Sequence, residues 1–401
     1  MNNVIFFDDV FKENLLPLTY TRPQADIRIG ILTIREKWEK RLQIKTSSLT
    51  ESYLTEKYPL HLEANNLFIS ASVCPTDELV DAVKQLQNGQ TLCKNEIIIA
   101  HALKSLPEDI STYCGEKIEY KGNFFNLRHL WDIFVHNGSE LQCDFDLLTR
   151  GRKSQILSST NTLIGNKENV FIEEGAVIEA SVLNVNQGKI YIGKNAEIME
   201  GCLIRGCFSL GENSQLKMGA KVYGPTTIGH HCKVGGEINN VVFFAYSNKA
   251  HDGFMGNSVI GEWCNIGADT NTSNLKNDYS EVKLWDYKSK KFQKTGEQFC
   301  GLIMGDHVKC GINVMFNTGT IVGVGSNLFG AGYMPNFVAS FQWGGPGGFQ
   351  DARLDKILCI AEKAFKRRNL VFDEREKEIL LGIYNYANKQ KEPHFPNFYI
   401  I

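Results

Sequence analysis

From Ile192 an aliphatic residue returns at every sixth position, through Ile198, Ile204, Leu210, Leu216, Val222 and Ile228 to Val234, often with glycine next, as at Gly193, Gly211, Gly229 and Gly235. Six matches neither the 3.6-residue period of a helix nor the two-residue alternation of an isolated strand. It suits a triangular coil whose three short strands each send one side chain into a narrow interior, with glycine favoured at the corners. The pattern starts at Ile172 and Ile178, shifts by two through "LNVNQGKI", and resumes with Ile260, Ile266, Met304, Cys310, Phe316, Val322 and Leu328. A solenoid over roughly residues 160 to 335 follows.

Two stretches break the period, "NNVVFFAYSNKAHDGFMGNS" and "NTSNLKNDYSEVKLWDYKSKKFQKTGEQFC". They read as loop insertions near 240–258 and 272–300, and loops on a rigid frame often carry binding groups. Ahead of the solenoid, "NVIFFDD", "NNLFISASV" and "NEIIIAH" alternate as buried strands with the helical "TIREKWEKRL" and "PTDELVDAVKQLQN". That alternation predicts an α/β domain over 1–150, followed by a β-helix domain over 151–340. Residues 341–401 read as a glycine-rich hinge, "FQWGGPGGFQ", and C-terminal helices. One helix buries Leu354, Ile357, Leu358, Ala361 and Phe365; another starts at a capping box from Asp373 to Glu376 and buries Ile379, Leu380 and Ile383.

A net charge of -2, with 22% charged and 43% hydrophobic residues, argues against nucleic acid as a partner and against a disordered acidic chain. The opening "MNNVIFFDDVFKEN" lacks a basic leader and no long apolar span follows, so the expectation is a cytoplasmic protein with no membrane partner. The 11 cysteines form no C-x-x-C pair, which favours reduced, buried thiols.

His251 stands in the polar segment "SNKAHDGF", just after the apolar "VVFFAY". Imidazole has the proton affinity of a general base near neutrality. By itself a loop histidine is more readily a hydrogen-bonding fixture, but the following "AHDGFMGNSVIGEWCNIGADTNTSN" continues with asparagines in register. This stretch, laid on hexapeptide repeats, resembles the acetyltransferase segment of the bifunctional UDP-N-acetylglucosamine pyrophosphorylase and glucosamine-1-phosphate N-acetyltransferase family, in its divergent GlmU-like bacterial branch. "LLPLTYTRPQADIRIG" and "LWDIFVHN" are similar to the nucleotidyltransferase half of the same branch.

The resemblance implies an α/β nucleotidyltransferase-like domain, a left-handed parallel β-helix and a C-terminal helical tail, assembled as a homotrimer with the acyl site between neighbouring chains. It assigns His251 as general base, Asn274 beside the acetyl group, Asn265 to the sugar, and Ala268 with Gly267 to the main-chain contact with acetyl-CoA. Phe254 and Leu275 stand where the family has tyrosines, and Tyr223 and Val241 where it has basic sugar-phosphate ligands. Lys276, or Lys221, Lys249 and Lys283, are candidate replacements for those cations. In the N-terminal part, "FDDVFKENLLPLT" has no glycine where the family cradles triphosphate, Gln24 occupies the lysine position, and "FISASV" lacks the metal-binding aspartate. Arg22, Arg28 and Lys37 are the remaining candidates for phosphate, and Asp8 and Asp9 for Mg2+.

The expected activity is therefore acetyl-CoA-dependent N-acylation of an amino sugar phosphate or nucleotide-linked amino sugar, fused to a divergent sugar-1-phosphate nucleotidyltransferase. The alternative is a nucleotidyltransferase using UTP or dTTP, in which the β-helix serves trimer assembly. A non-catalytic ligand-binding assembly also remains open, whereas a metal-dependent carbonic anhydrase would need three converging histidines, which His230, His251 and His307 are not spaced to supply.

Overall fold

The structure is a computed structural model that describes residues 3–390. Two compact units divide it: one comprises the chain up to residue 28 with 32–129 and 374–379, the other 29–31, 130–373 and the rest of the C-terminal helix.

The first unit is the expected α/β domain. Asn3–Phe7 pairs in parallel with Ser47–Leu49 and Asn66–Ser70, and Ile97–Leu103 runs antiparallel to both Asn66–Ser70 and Gln90–Lys94. Helix α1 (Ile34–Leu42) opens on a capping box between Thr33 and Glu36 and buries Ile34, Lys37 and Trp38. Helix α2 (Asp77–Lys84) is capped by the Thr76 side chain and buries Leu79, Val80 and Val83.

The second unit is the parallel β-helix. Ile192, Leu210 and Ile228 occupy one register on its first side, Ile198, Leu216 and Val234 on the second, and Ile204 and Val222 on the third. All are at most 1% exposed, each contributing roughly 1.5–3 kcal/mol by burial. Gly229 marks how tightly the coils stack, since a Cβ there would lie 1.5 Å from the Phe244 carbonyl oxygen. Helices α3 (Asp132–Val135) and α4 (Asn137–Thr149) belong to this unit: Asn137 donates to the Pro225 carbonyl at 3.0 Å and accepts from Thr227 Oγ1 at 3.1 Å. By contacts, the division between the two units falls near residue 130.

Two expectations are corrected. The stretch 240–258 is not an insertion. Glu237–Phe243, Asn248–Lys249 and Phe254–Ile260 are ordinary solenoid strands, pairing in register with the coils before and after them. The period slips because these coils are shorter, and because Lys249 takes the inward position between Val234 and Ile266 that the pattern reserves for an aliphatic residue. The segment 272–300 is an excursion from the coil: Lys283–Asp286 and Lys291–Lys294 form an antiparallel hairpin on it, packed back on the solenoid by Trp285 against Phe337 at 4.7 Å.

The second correction concerns "FQWGGPGGFQ", which is no hinge. Gln342–Gly345 continues the second side of the solenoid and folds back through Pro346 and Gly347 on Gly348–Asp351 as a hairpin. Helix α5 (Leu354–Lys366) follows, burying Ile357, Ala361 and Phe365, and then α6 (Glu374–Gln390). Ile379, Leu380 and Ile383 of α6 are buried as expected.

One column of corner residues explains where α5 docks. His231, Tyr246, Trp263 and His307 turn successive coils at φ of 56°, 54°, 60° and 62°, a left-handed conformation costing non-glycine residues roughly 1–2 kcal/mol each. Stacking offsets that cost: His231 lies 5.1 Å from Tyr246, Tyr246 4.2 Å from Trp263, and Phe365 of α5 3.9 Å from Trp263.

Candidate active site on the solenoid

His251 sits on the corner between the second and third sides, exposed, and no hydrogen bond reaches its ring among the described residues. What fixes its loop is Lys249. From its inward position, 0% exposed, the ammonium donates to the carbonyl oxygens of His251 at 2.8 Å and of Asp252 and Gly235 at 3.3 Å. Burial pushes the Lys249 pKa down to about 8, with Asp252 among the charges that pull it back up. Gly236 completes the corner at φ of 80°, where a Cβ would meet the Lys249 ammonium and the His251 carbonyl.

The next coil brings Gly267 and Ala268 to the same corner. The Asp269 N–H donates to the Asp252 carbonyl at 3.0 Å, so the His251 and Ala268 turns lie one above the other. Gly267 is required by packing, since a Cβ would fall 2.2 Å from the Gly311 carbonyl oxygen. The Ala268 carbonyl accepts from Asn313 N–H at 2.9 Å, while no hydrogen bond engages the Ala268 N–H among the described residues. Asn265 is exposed on the adjoining second side, in register between Asn248 and Lys309.

Asn274 follows the third-side strand Asn271–Thr272, at the end of that side away from the Ala268 turn. Its Nδ2 donates to Asn257 Oδ1 at 2.8 Å, and Asn257 Nδ2 donates in turn to Asn240 at 3.1 Å. These asparagines form a ladder down one corner, and Asn274 is its last rung. The two positions that depart from the family's tyrosines are both partly buried: Phe254 beside the backbone of Gly256, and Leu275 bridged to Phe299.

Three of the lysines expected to replace the missing phosphate ligands are otherwise engaged. Lys249 is interior, Lys221 pairs with Glu237 at 3.2 Å, and Lys276 donates to Ser280 Oγ at 2.8 Å within its own excursion. Lys283 is exposed on the hairpin. Tyr223 donates to Glu237 at 2.6 Å, and burial with that carboxylate raises its pKa to about 12.

In the N-terminal unit, Asp8 and Asp9, the expected magnesium ligands, are held by protein donors. Asp9 accepts from Ser70 at 2.5 Å, from Ser72, and from the Phe11 N–H at 2.9 Å. Asp8 accepts from Thr50 at 2.5 Å and the Gln24 N–H at 2.8 Å, and pairs with Lys12 at 3.0 Å. All four carboxylate oxygens thereby hold protein donors. Arg22, Arg28 and Lys37 are buried at 3%, 8% and 1% exposure, with Arg28 Nη2 3.8 Å from Glu36. Among the described residues no group of three or more His, Cys, Asp or Glu side chains is placed to hold a metal, and no helix is long and apolar enough to cross a membrane.

Residues 4–153 match the family model described as sugar nucleotidyl transferase. The "Bifunctional protein GlmU" of Methanococcus maripaludis strain C7 is 30% identical over 339 residues, covering 82% of this chain and 70% of that protein. The chain belongs to the GlmU family. Its C5-strain counterpart is 30% identical over 292 residues, and there the match spans only 59% of the relative's length. The "Bifunctional sugar-1-phosphate nucleotidylyltransferase/acetyltransferase" of Sulfurisphaera tokodaii is 31% identical over 242 residues, covering 59% of this chain and 51% of that one. Among solved structures, the UDP-N-acetylglucosamine acyltransferase of Campylobacter jejuni aligns with 57% of this chain and 95% of its own at 13% identity and a TM-score of 0.28.

Proposed function

We propose that this GlmU-family chain transfers an acetyl group from acetyl-CoA to the amine of an amino sugar phosphate or nucleotide-linked amino sugar, with His251 as general base. The observation that carries the reading is the built corner. A buried lysine holds the backbone of residues 235, 251 and 252 so that an exposed imidazole stands one coil from the Ala268 N–H.

In the step itself, His251 takes a proton from the amine as the nitrogen bonds to the thioester carbonyl carbon. The carbon–sulfur bond then breaks, coenzyme A leaves as its thiol once the proton is returned, and the amide remains on the sugar. Charge that gathers on the carbonyl oxygen meets the Ala268 N–H, a donor of the kind whose loss typically costs about 2.7–4 kcal/mol of transition-state stabilisation. Asn265 contacts the sugar from the second side, and Asn274 acts through the corner ladder. Assembly as a trimer supplies the opposite wall of the site from a neighbouring prism. The N-terminal unit keeps the nucleotidyltransferase fold, with its phosphate loop closed by Asp8, Asp9, Ser70 and Ser72. Cytoplasmic placement accords with these substrates.

A coenzyme A release assay tests the assignment. His251→Ala, an exposed substitution, should leave folding intact and lower kcat at least about 100-fold, the contribution of one positioned base. Undiminished release would remove His251 from the chemistry.

A further inference from the structure

Helix α5 and the second side of the solenoid enclose a cleft of about 370 Å³, at the small end of the range for ligand sites. Its polar walls are basic. Lys233 and Lys309 come from the solenoid face, Lys363 from α5, and Arg367 and Arg368 from the turn after it, with Asn248 and Asn265 between them. No carboxylate lines the cleft. None of these five cations forms an ion pair within 4.0 Å among the described residues, although surface lysines and arginines elsewhere in the chain regularly do. Arg368 is tied to the wall by a 2.9 Å hydrogen bond to Asn248 Oδ1, and Lys309 donates to the Trp263 carbonyl.

The charges oppose one another. Burial lowers the pKa of Lys233 and of Arg368, and in each case the neighbouring Arg367 lowers it further. Glu197 near Lys233 and Asp306 near Lys309 offset only part of this charge from outside the cleft, and an anion that bridges the walls relieves the rest. The aromatic residues beside the cleft do not offer a place for a base to stack. Trp263 is already sandwiched between Tyr246 at 4.2 Å and Phe365 at 3.9 Å, so both of its faces are taken. Recognition here rests on charge and on the Asn248 and Asn265 amides, which suits adjacent phosphates whose organic part points outward.

We infer that this cleft binds a diphosphate group, held between Lys233 and Lys309 on the solenoid and Lys363, Arg367 and Arg368 from the C-terminal helix region. The bound anion also fastens α5 to the β-helix, because its ligands come from both. The cleft shares Asn265 with the proposed acetyl-transfer site, but pyrophosphate binding is read by thermal unfolding, independently of that activity.

Thermal unfolding of the full chain is followed with sodium pyrophosphate and, at matched ionic strength, sodium sulfate. Pyrophosphate should raise the melting temperature in a saturable way where sulfate does not. Lys363→Ser and Arg367→Ser, both exposed positions that leave the core untouched, should each weaken pyrophosphate binding roughly tenfold or more. Competition then identifies the source: displacement by UDP marks a nucleotide diphosphate and displacement by coenzyme A marks the acyl donor's phosphates, and either supports the site. Stabilisation no greater than that given by sulfate, or full pyrophosphate binding in Arg367→Ser, overturns it.

Discussion

At the scale of single residues, Lys249 is the position on which the proposed site depends. A lysine in a polar stretch reads as solvated, and nothing in "SNKAHDGF" announces that its stem fills an inward solenoid position. The three carbonyl acceptors reach it only because the coil folds around it. Lys249→Met should keep the stem's packing but leave those carbonyls without their donor, loosening the His251 corner. The expected outcome is a fall in kcat of roughly tenfold or more with little change in secondary structure, read by steady-state kinetics and circular dichroism. The lysine also sets a pH dependence. Its folded pKa of about 8 lies below the ordinary value of 10.5, so between those values the unfolded chain binds the extra proton. The stability advantage of the native protein over Lys249→Met should therefore grow as pH rises from 8 towards 10.5 and be smallest below 8, measured by denaturant titration of both proteins. Asp8 and Asp9 teach a related lesson. Paired aspartates after a strand read as metal ligands, and only the fold shows Thr50, Ser70 and Ser72 brought across from distant segments to fill them.

At the scale of elements, the period was legible because each side of a triangular coil admits one inward side chain, so aliphatic residues repeat without regard to the outer surface. Where coils shorten to fit Phe243 and Lys249, the same rule holds in space while its spacing changes in sequence, and an ordinary strand reads as an insertion. The segment "GGPGG" reads as flexible by composition, yet backbone pairing to the solenoid edge makes it a hairpin. The docking of α5 was half legible: its apolar face shows in the sequence, but its partner is a column of corner aromatics that are far apart along the chain. Trp263→Ala removes the centre of that stack and should cost about 3–5 kcal/mol. Its signature is a lowered melting temperature together with faster proteolysis within residues 352–373; unchanged protection of that segment would contradict the stack as its anchor.

At the scale of the whole molecule, the two halves carry unequal marks of chemistry. The N-terminal unit retains the family's α/β domain while its candidate metal and phosphate residues are buried or occupied by internal partners. The β-helix presents an exposed histidine on a corner stiffened from inside. Acetyl transfer is accordingly the activity proposed, and the resemblance in sequence singled out His251 as the candidate base but not the lysine beneath it. The direct test is mass spectrometry of the products formed when the full chain is incubated with acetyl-CoA and a panel of amino-sugar phosphates and nucleotide-linked amino sugars. The account predicts an N-acetylated sugar and an equal amount of free coenzyme A, both lost in His251→Ala. Acetylated product at the same rate from His251→Ala, or no acetylated sugar across the panel from a wild-type protein that binds acetyl-CoA, would contradict it.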